Sequence, residues 1–286
     1  MLNSVTVPKT SSSDSRPPAT VLISPHVDDI AYSVGGAVLA GFFPPPLLMV
    51  IPFTLSISAE FFDGSHDIET VTTLRKEEDY AFSEKVGCQI LRLKLPEATV
   101  SRVTGHYYYP LVFLTSIACG WPEPRGTVTK GVSRVASRLP RMSRSFLLQR
   151  AARIDPVYSI LRERISSIIS KQSPVVLVSP LGLGNHPNHI VLSRVCRSLK
   201  DSVSRLYFYE DLPYSSSYRL PAIEMYVKLF DGRLRPVSLD IGDLMEKKLE
   251  NLSIYKSQVD HKNVARVLKH ARALSDQGLH ERMWTY

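Results

Sequence analysis

Short apolar runs alternate with amphipathic stretches along this chain, and the alternation predicts strands and helices in turn. Val21-Leu22-Ile23 is an apolar, β-branched run of strand length, stopped by Ser24-Pro25. Residues 30–40 then resume as an apolar helix in which Gly35 and Gly36 permit close packing. Residues 47–53 predict a second strand, 70–86 a helix closed by Gly87 at C′, and 89–95 a third strand. Further on, 156–171 read as a helix with Ile160, Leu161, Ile165, Ile168 and Ile169 on its apolar side. A fourth strand at 175–178, a helix at 190–199 and a fifth strand at 206–209 follow. Residues 223–230 and 235–241 read as an appended hairpin or β-edge, and 243–257 and 261–276 as two closing helices. Right-handed crossovers lay β-α-β units down as a parallel sheet. The predicted class is therefore α/β: a Rossmann-like, mainly parallel sheet with helices on both faces. Residues 97–155 break the alternation and are expected to form a partly helical insertion over the carboxyl edge of the sheet. Residues 1–19 read as a flexible tail and 20–286 as one domain.

The polar residues that interrupt this pattern cluster at two strand ends. After the first strand come His26, Asp28 and Asp29; after the fourth, a glycine-containing loop delivers His186 and His189. Open α/β sheets place ligands at such ends, and buried carboxylates are costly unless paired or bound to a cation. Matching layouts at two strand ends bring His26, Asp29 and His189 to one sheet edge. Two imidazoles and a carboxylate with an open fourth position make a catalytic zinc set; the plainer reading is a hydrogen-bonded cluster that ends two strands. Neighbouring side chains point differently, so one of Asp28 and Asp29 can bind an ion while the other reaches a water. His186, in the turn before His189, can flank the same cavity or bond the backbone as a loop histidine.

Three stretches carry a resemblance to a known family. Pro25-His26-Val27-Asp28-Asp29 after a first strand, with His186-Pro187-Asn188-His189 after a later one, resembles the LmbE-like family, which includes the PIG-L N-acetylglucosaminyl-phosphatidylinositol de-N-acetylases and bacterial sugar and thiol-glycoside deacetylases. Arg75-x-x-Glu78-x-x-Ala81 with Val86-Gly87, and Ser257-Gln258, are similar to further signatures of that family, so the matches run from about Val21 to about Gln258. The resemblance implies Zn²⁺ on His26, Asp29 and His189, with Asp28 as general base. His186 would be the acid or oxyanion partner and Arg75 a substrate contact. It implies hydrolysis of an N-acetyl group on an amino sugar or glycoconjugate. Two positions depart from the bacterial pattern: Ile30 stands where many relatives have Glu, and Asn188 where many have Asp.

Composition changes this picture in few places. The formal net charge is +8. Eight basic residues and no acidic ones fall between Arg125 and Arg153, so the rest of the chain is formally neutral. No nucleic-acid partner is expected; the basic run is either a solvated helix face or a surface for an anionic partner or membrane. Cys88, Cys119 and Cys196 form no paired spacing, which suggests reduced thiols and a cytoplasmic setting. Arg75 is either a fork donor to substrate or a solvated partner of Asp79. Glu210 and Asp211, at the end of the fifth strand, either line the sugar pocket or cap a loop. Rival functions are an amidase acting on a thiol conjugate or natural-product intermediate, and a non-catalytic sugar-binding protein. A nucleotide-binding or methyl-transferring protein is disfavoured, because no GxGxxG follows the first strand and acidic residues sit at the phosphate position.

Overall fold

The structure, a computed structural model, describes residues 19–56, 67–98, 100 and 147–286. The expected N-terminal tail, the loop after the second strand and most of the insertion, with its basic run as far as Arg144, lie outside them. The described strands are β1 Ala19–Ile23, β2 Leu47–Leu55, β3 Cys88–Pro96, β4 Val175–Pro180, β5 Arg205–Tyr209, β6 Arg235–Asp240 and β7 His280–Thr285. Among the described residues the helices used below are α1 Asp29–Leu39, α2 Ile68–Val86, α3 Pro156–Gln172, α4 Pro187–Ser198, α5 Leu220–Asp231, α6 Met245–Leu252 and α7 His261–Ala273.

All seven strands form one sheet in the order β3-β2-β1-β4-β5-β7-β6. The first five pair in parallel, and β7 pairs antiparallel to both β5 and β6. Side chains alternate across a strand, and here successive residues feed two cores. Val21, Ile23, Leu177, Leu206 and Phe208 pack with α3, α4 and α5. Leu22, Val176, Val178, Tyr207 and Tyr209 pack on the other side with α1, α6 and α7. Helices therefore cover both faces, which explains why the central strands read as continuous apolar runs rather than alternating ones.

Local chemistry sets several boundaries. The Asp67 carboxylate accepts from the Thr70 N–H at the start of α2, and Gly87 ends that helix at φ 66°. Asp155 caps α3 through the Val157 N–H, with Pro156 in the first turn.

Two expectations are corrected. Residues 223–230 are helical within α5, not a strand: Ile223, Tyr226, Val227 and Phe230 recur at helical spacing and are the buried side. The expected hairpin therefore does not form, while 235–240 makes the edge strand β6, the β-edge that was its alternative. Instead the final segment, β7, lies between β5 and β6 and completes the sheet.

Candidate active site

The order 3-2-1-4-5 reverses direction between β1 and β4, and the carboxyl ends of those two strands carry the polar cluster. β1 ends at Ile23, a short turn presents His26, and α1 opens with Asp28 at its N-cap and Asp29 as its first residue. β4 ends at Pro180, and the following loop turns through Gly182 (φ 82°) and Gly184 (φ 91°) to place His186 at the N-cap of α4 and His189 in its first turn.

Three side chains converge. His26 Nδ1 lies 3.3 Å from Asp29 Oδ2 and 3.3 Å from His189 Nε2, and His189 Nε2 lies 3.4 Å from Asp29 Oδ1. Ligands about 2.0–2.1 Å from one ion at tetrahedral angles lie about 3.3–3.4 Å from one another; the two imidazole nitrogens stand at that spacing from each other and each from one Asp29 oxygen, so the three side chains fit around a single ion. His186 joins them: the three imidazoles have one nitrogen each within 4.8 Å of the others, and the His186 ring centroid is 4.6 Å from that of His26. Asp29, His26 and His189 are all buried.

Hydrogen bonds fix the set. The His26 N–H donates to Asp29 Oδ2 at 2.7 Å. His189 Nδ1 lies 2.8 Å from Asp211 Oδ1, and the Leu183 N–H donates to Asp211 Oδ2. The Asn188 side-chain amide lies 2.9 Å from His26 Nε2. Electrostatics separates the two neighbouring carboxyls. Burial, and next the charge of Asp29, push Asp28 up to about 7 against the pull of Arg75. Burial opposes ionisation of Asp29 too, but His189 and His26 outweigh it and hold that carboxyl below its ordinary value. Burial, then the neighbouring His26 and His189, hold His186 well below the ordinary histidine value, so its imidazole is neutral at pH 7.

These groups open on a cavity of about 280 Å³ whose walls include Asp28, Arg75, Glu97, His186, Tyr214 and Arg266. Arg75 is buried rather than solvated, and its Nη1 donates to Glu97 Oε1 at 2.6 Å and to Ser56 Oγ. The alternative partner Asp79 is instead paired with Arg92 at 3.0 Å. Glu78, one turn along α2, accepts from the N–H and Oγ of Ser257 at 2.8 and 2.6 Å, which sets Gln258 in the cavity wall.

The two carboxylates after β5 do not line this cavity. Asp211 lies behind His189. Glu210 accepts from Arg282 Nε and Trp284 Nε1 and meets His270 Nε2 at 2.8 Å, away from the donor triangle. Glu97 was not foreseen, although it directly follows Pro96 at the carboxyl end of β3, the edge of the sheet on which β1 and β4 place their polar residues. Asn263 and Arg266 on α7 also reach the wall, and nothing local in the sequence marked them.

Fold and site thus define an open α/β protein with three histidines and Asp29 clustered at its switch point. No family model matches the chain. It is 26% identical over 255 residues to the 2′-N-acetylparomamine deacetylase of Streptomyces fradiae, covering 88% of this chain and 78% of that one. The solved structure of A40926 pseudoaglycone deacetylase superposes with a TM-score of 0.60 at 18% identity over 93% of this chain and 96% of that one. The zinc-inhibited form of teicoplanin deacetylase gives 0.62 at 17% identity over 93% and 97%. At these identities the two structures establish a shared fold. With the motifs above, these likenesses support the resemblance of the chain to the LmbE-like, PIG-L deacetylases.

Proposed function

We propose that this protein is a zinc-dependent N-deacetylase that hydrolyses the acetamide of an N-acetylated amino sugar within a glycoside or glycoconjugate. The observation that carries the reading is the donor triangle of His26, Asp29 and His189 with Asp28 beside it in one cavity wall. These three residues would hold the ion, which when bound supplies Lewis acidity toward an acyl oxygen and acidifies water. Asp211 accepts the Nδ1 proton of His189 and so leaves Nε2 to face the triangle. The same logic asks Asn188 to turn its amide oxygen toward Nε2–H of His26, leaving Nδ1 as the donor.

Asp28 takes the proton of the attacking water. Its carboxyl, near the working pH, can accept that proton and return it to the leaving amine. Neutral His186 donates an N–H to the acyl oxygen as negative charge develops there. Acetate and a free amine result. Arg75, fixed by Glu97, presents its guanidinium to sugar hydroxyls. A cavity of about 280 Å³, just below the usual range of ligand pockets (about 300–1,000 Å³), suits one acylated sugar ring. The amino-sugar assignment is supported by the relative that acts on 2′-N-acetylparomamine.

The test is a panel of N-acetylated glycosides and thiol glycosides, assayed for free amine with and without a chelator. The reading requires chelator-sensitive amine release, and an Asp28→Ala protein that keeps stoichiometric metal but releases no amine. Amine release that survives both treatments would refute it.

A further inference from the structure

Helix α1, which begins with the two catalytic-site carboxylates, is not continuous. Val34 sits at φ −134°, ψ 19°, outside helical values, in the middle of the element. In an unbroken helix the Gly36 N–H would bond the Tyr32 carbonyl and the Ala37 N–H the Ser33 carbonyl. Here two side chains from the C-terminal part of the chain serve these groups. Lys248 Nζ on α6 donates to the Tyr32 carbonyl at 2.7 Å. Glu281 on β7 accepts from the Gly36 N–H at 2.9 Å through Oε1 and from the Ala37 N–H at 2.8 Å through Oε2. Lys248 and Glu281 pair with each other at 2.6 Å, with side chains only 1% and 2% exposed. A side chain inserted in the helical ladder is a recognised cause of a kink, and here the inserted element is an ion pair.

The pair lies one helical turn behind the site. The Tyr32 N–H donates to the Asp28 carbonyl at 3.0 Å, so the carbonyl gripped by Lys248 belongs to the residue that closes the first turn. That turn carries Asp28 at its N-cap and Asp29 in the donor triangle. Ser33 adds a second tie, its Oγ accepting from the Leu212 N–H, next to Asp211. Close packing leaves little slack: a Cβ on Gly36 would lie 2.8 Å from Ile241 Cγ2 and 3.0 Å from Glu281 Oε1. A buried ion pair is a weak source of net stability, since desolvation offsets its attraction, so its place in the break calls for another role.

We propose that Lys248 and Glu281 are positioning residues for the metal centre: inserted in the break of α1, they set the direction of the first turn and thereby the placement of Asp28 and Asp29. The proposal rests on the functional reading above.

The test uses the full chain stripped by chelator and titrated with Co²⁺ alone, read by visible absorption, beside amine release from an N-acetylglucosaminide. Lys248→Met with Glu281→Gln removes both charges with little change of volume. It leaves the Tyr32 carbonyl without its ammonium and gives the two amides only one oxygen. The expected result is a Co²⁺ dissociation constant raised about tenfold or more, as for other residues that orient ligands, an altered absorption band, and a fall in kcat with KM nearly unchanged. Ile165→Val, in α3 on the opposite face, serves as a destabilised control and should keep the parent affinity and spectrum. Should the double variant not fold, Gly36→Ala, which must displace Glu281 or Ile241, should weaken Co²⁺ binding in the same direction. Unchanged affinity and spectrum in the variant, or an equal loss in the control, would overturn the proposal. A parent that takes up no Co²⁺ refutes the functional reading and this inference with it; a normal parent beside an unchanged variant refutes this inference alone.

Discussion

Replacing Asp211 by Asn tests the metal reading at one hydrogen bond without changing volume. Both Asp211 and His189 have fully buried side chains, 2.8 Å apart, and the second Asp211 oxygen accepts from the Leu183 N–H at 2.8 Å. A carboxylate serves both donors; an amide has only one acceptor. If the Asn oxygen stays with Leu183, its NH₂ faces Nδ1 of His189. Nδ1 must then accept, and the proton moves to Nε2, the atom that faces Asp29 and His26. If the oxygen instead turns to His189, the Leu183 N–H meets an NH₂ and loses its partner. Either way one charge-assisted bond, worth about 1.5–3 kcal/mol, is lost. Loss of an outer partner of a ligating histidine lowers metal affinity about 10–100-fold, which is about 1.4–2.7 kcal/mol. We expect Asp211→Asn to fold, to bind Zn²⁺ about 10–100-fold more weakly by competition with a chelating dye, and to lose amine release in parallel. Zn²⁺ affinity within twofold of the parent would show that Asp211 does not set the His189 tautomer, and the argument for Nε2 as a donor would fail.

Gly184→Ala forces a side chain at φ 91° and overlaps the Cβ of Tyr214 while lying 2.9 Å from its Cγ; we expect about 2–3 kcal/mol of lost stability and joint loss of metal binding and activity, measured by urea unfolding and Co²⁺ titration. Glu78→Ala leaves the N–H and Oγ of Ser257 without their acceptor, so KM should rise and stability fall by about 1–3 kcal/mol while metal affinity stays at the parent value. Asp231 is held well below the usual carboxylate range, chiefly by hydrogen bonds from Arg233 that outweigh burial. A depressed folded-state value means its contribution is complete above about pH 4 and is lost as pH falls through that lower value. Asp231→Asn should therefore cost about 1 kcal/mol at pH 7, and the urea midpoints of variant and parent should converge on acidification; a constant gap between them would refute the assignment.

Much of the site could be read locally, because a buried strand, a Pro or Gly stop and the polar residues that follow are written close together in the chain. That grammar located His26, Asp28, Asp29, His186 and His189, and the structure brings them around one point. It failed where a local string fits two states. Residues 223–230 read as a strand, yet the spacing of Ile223, Tyr226, Val227 and Phe230 is helical and Pro221 stands in the first turn of the helix. Arg75 could pair with Asp79 on its own helix; only the end of β3 supplies the Glu97 that captures it.

Adjacent residues at a strand end turn to opposite sides, so Glu210 and Asp211 look alike in the sequence but meet different partners: His270, Arg282 and Trp284 for one, His189 for the other. What the sequence by itself determined is the parallel α/β core and the chemistry at two strand ends, since both follow from periodicity and from which groups cannot be buried alone. Tertiary structure alone decided the rest: the insertion of β7 between β5 and β6, and the Lys248–Glu281 pair in the break of α1. Those contacts join residues far apart in the chain, and which pairs form depends on the packing of whole elements, a quantity no local pattern encodes.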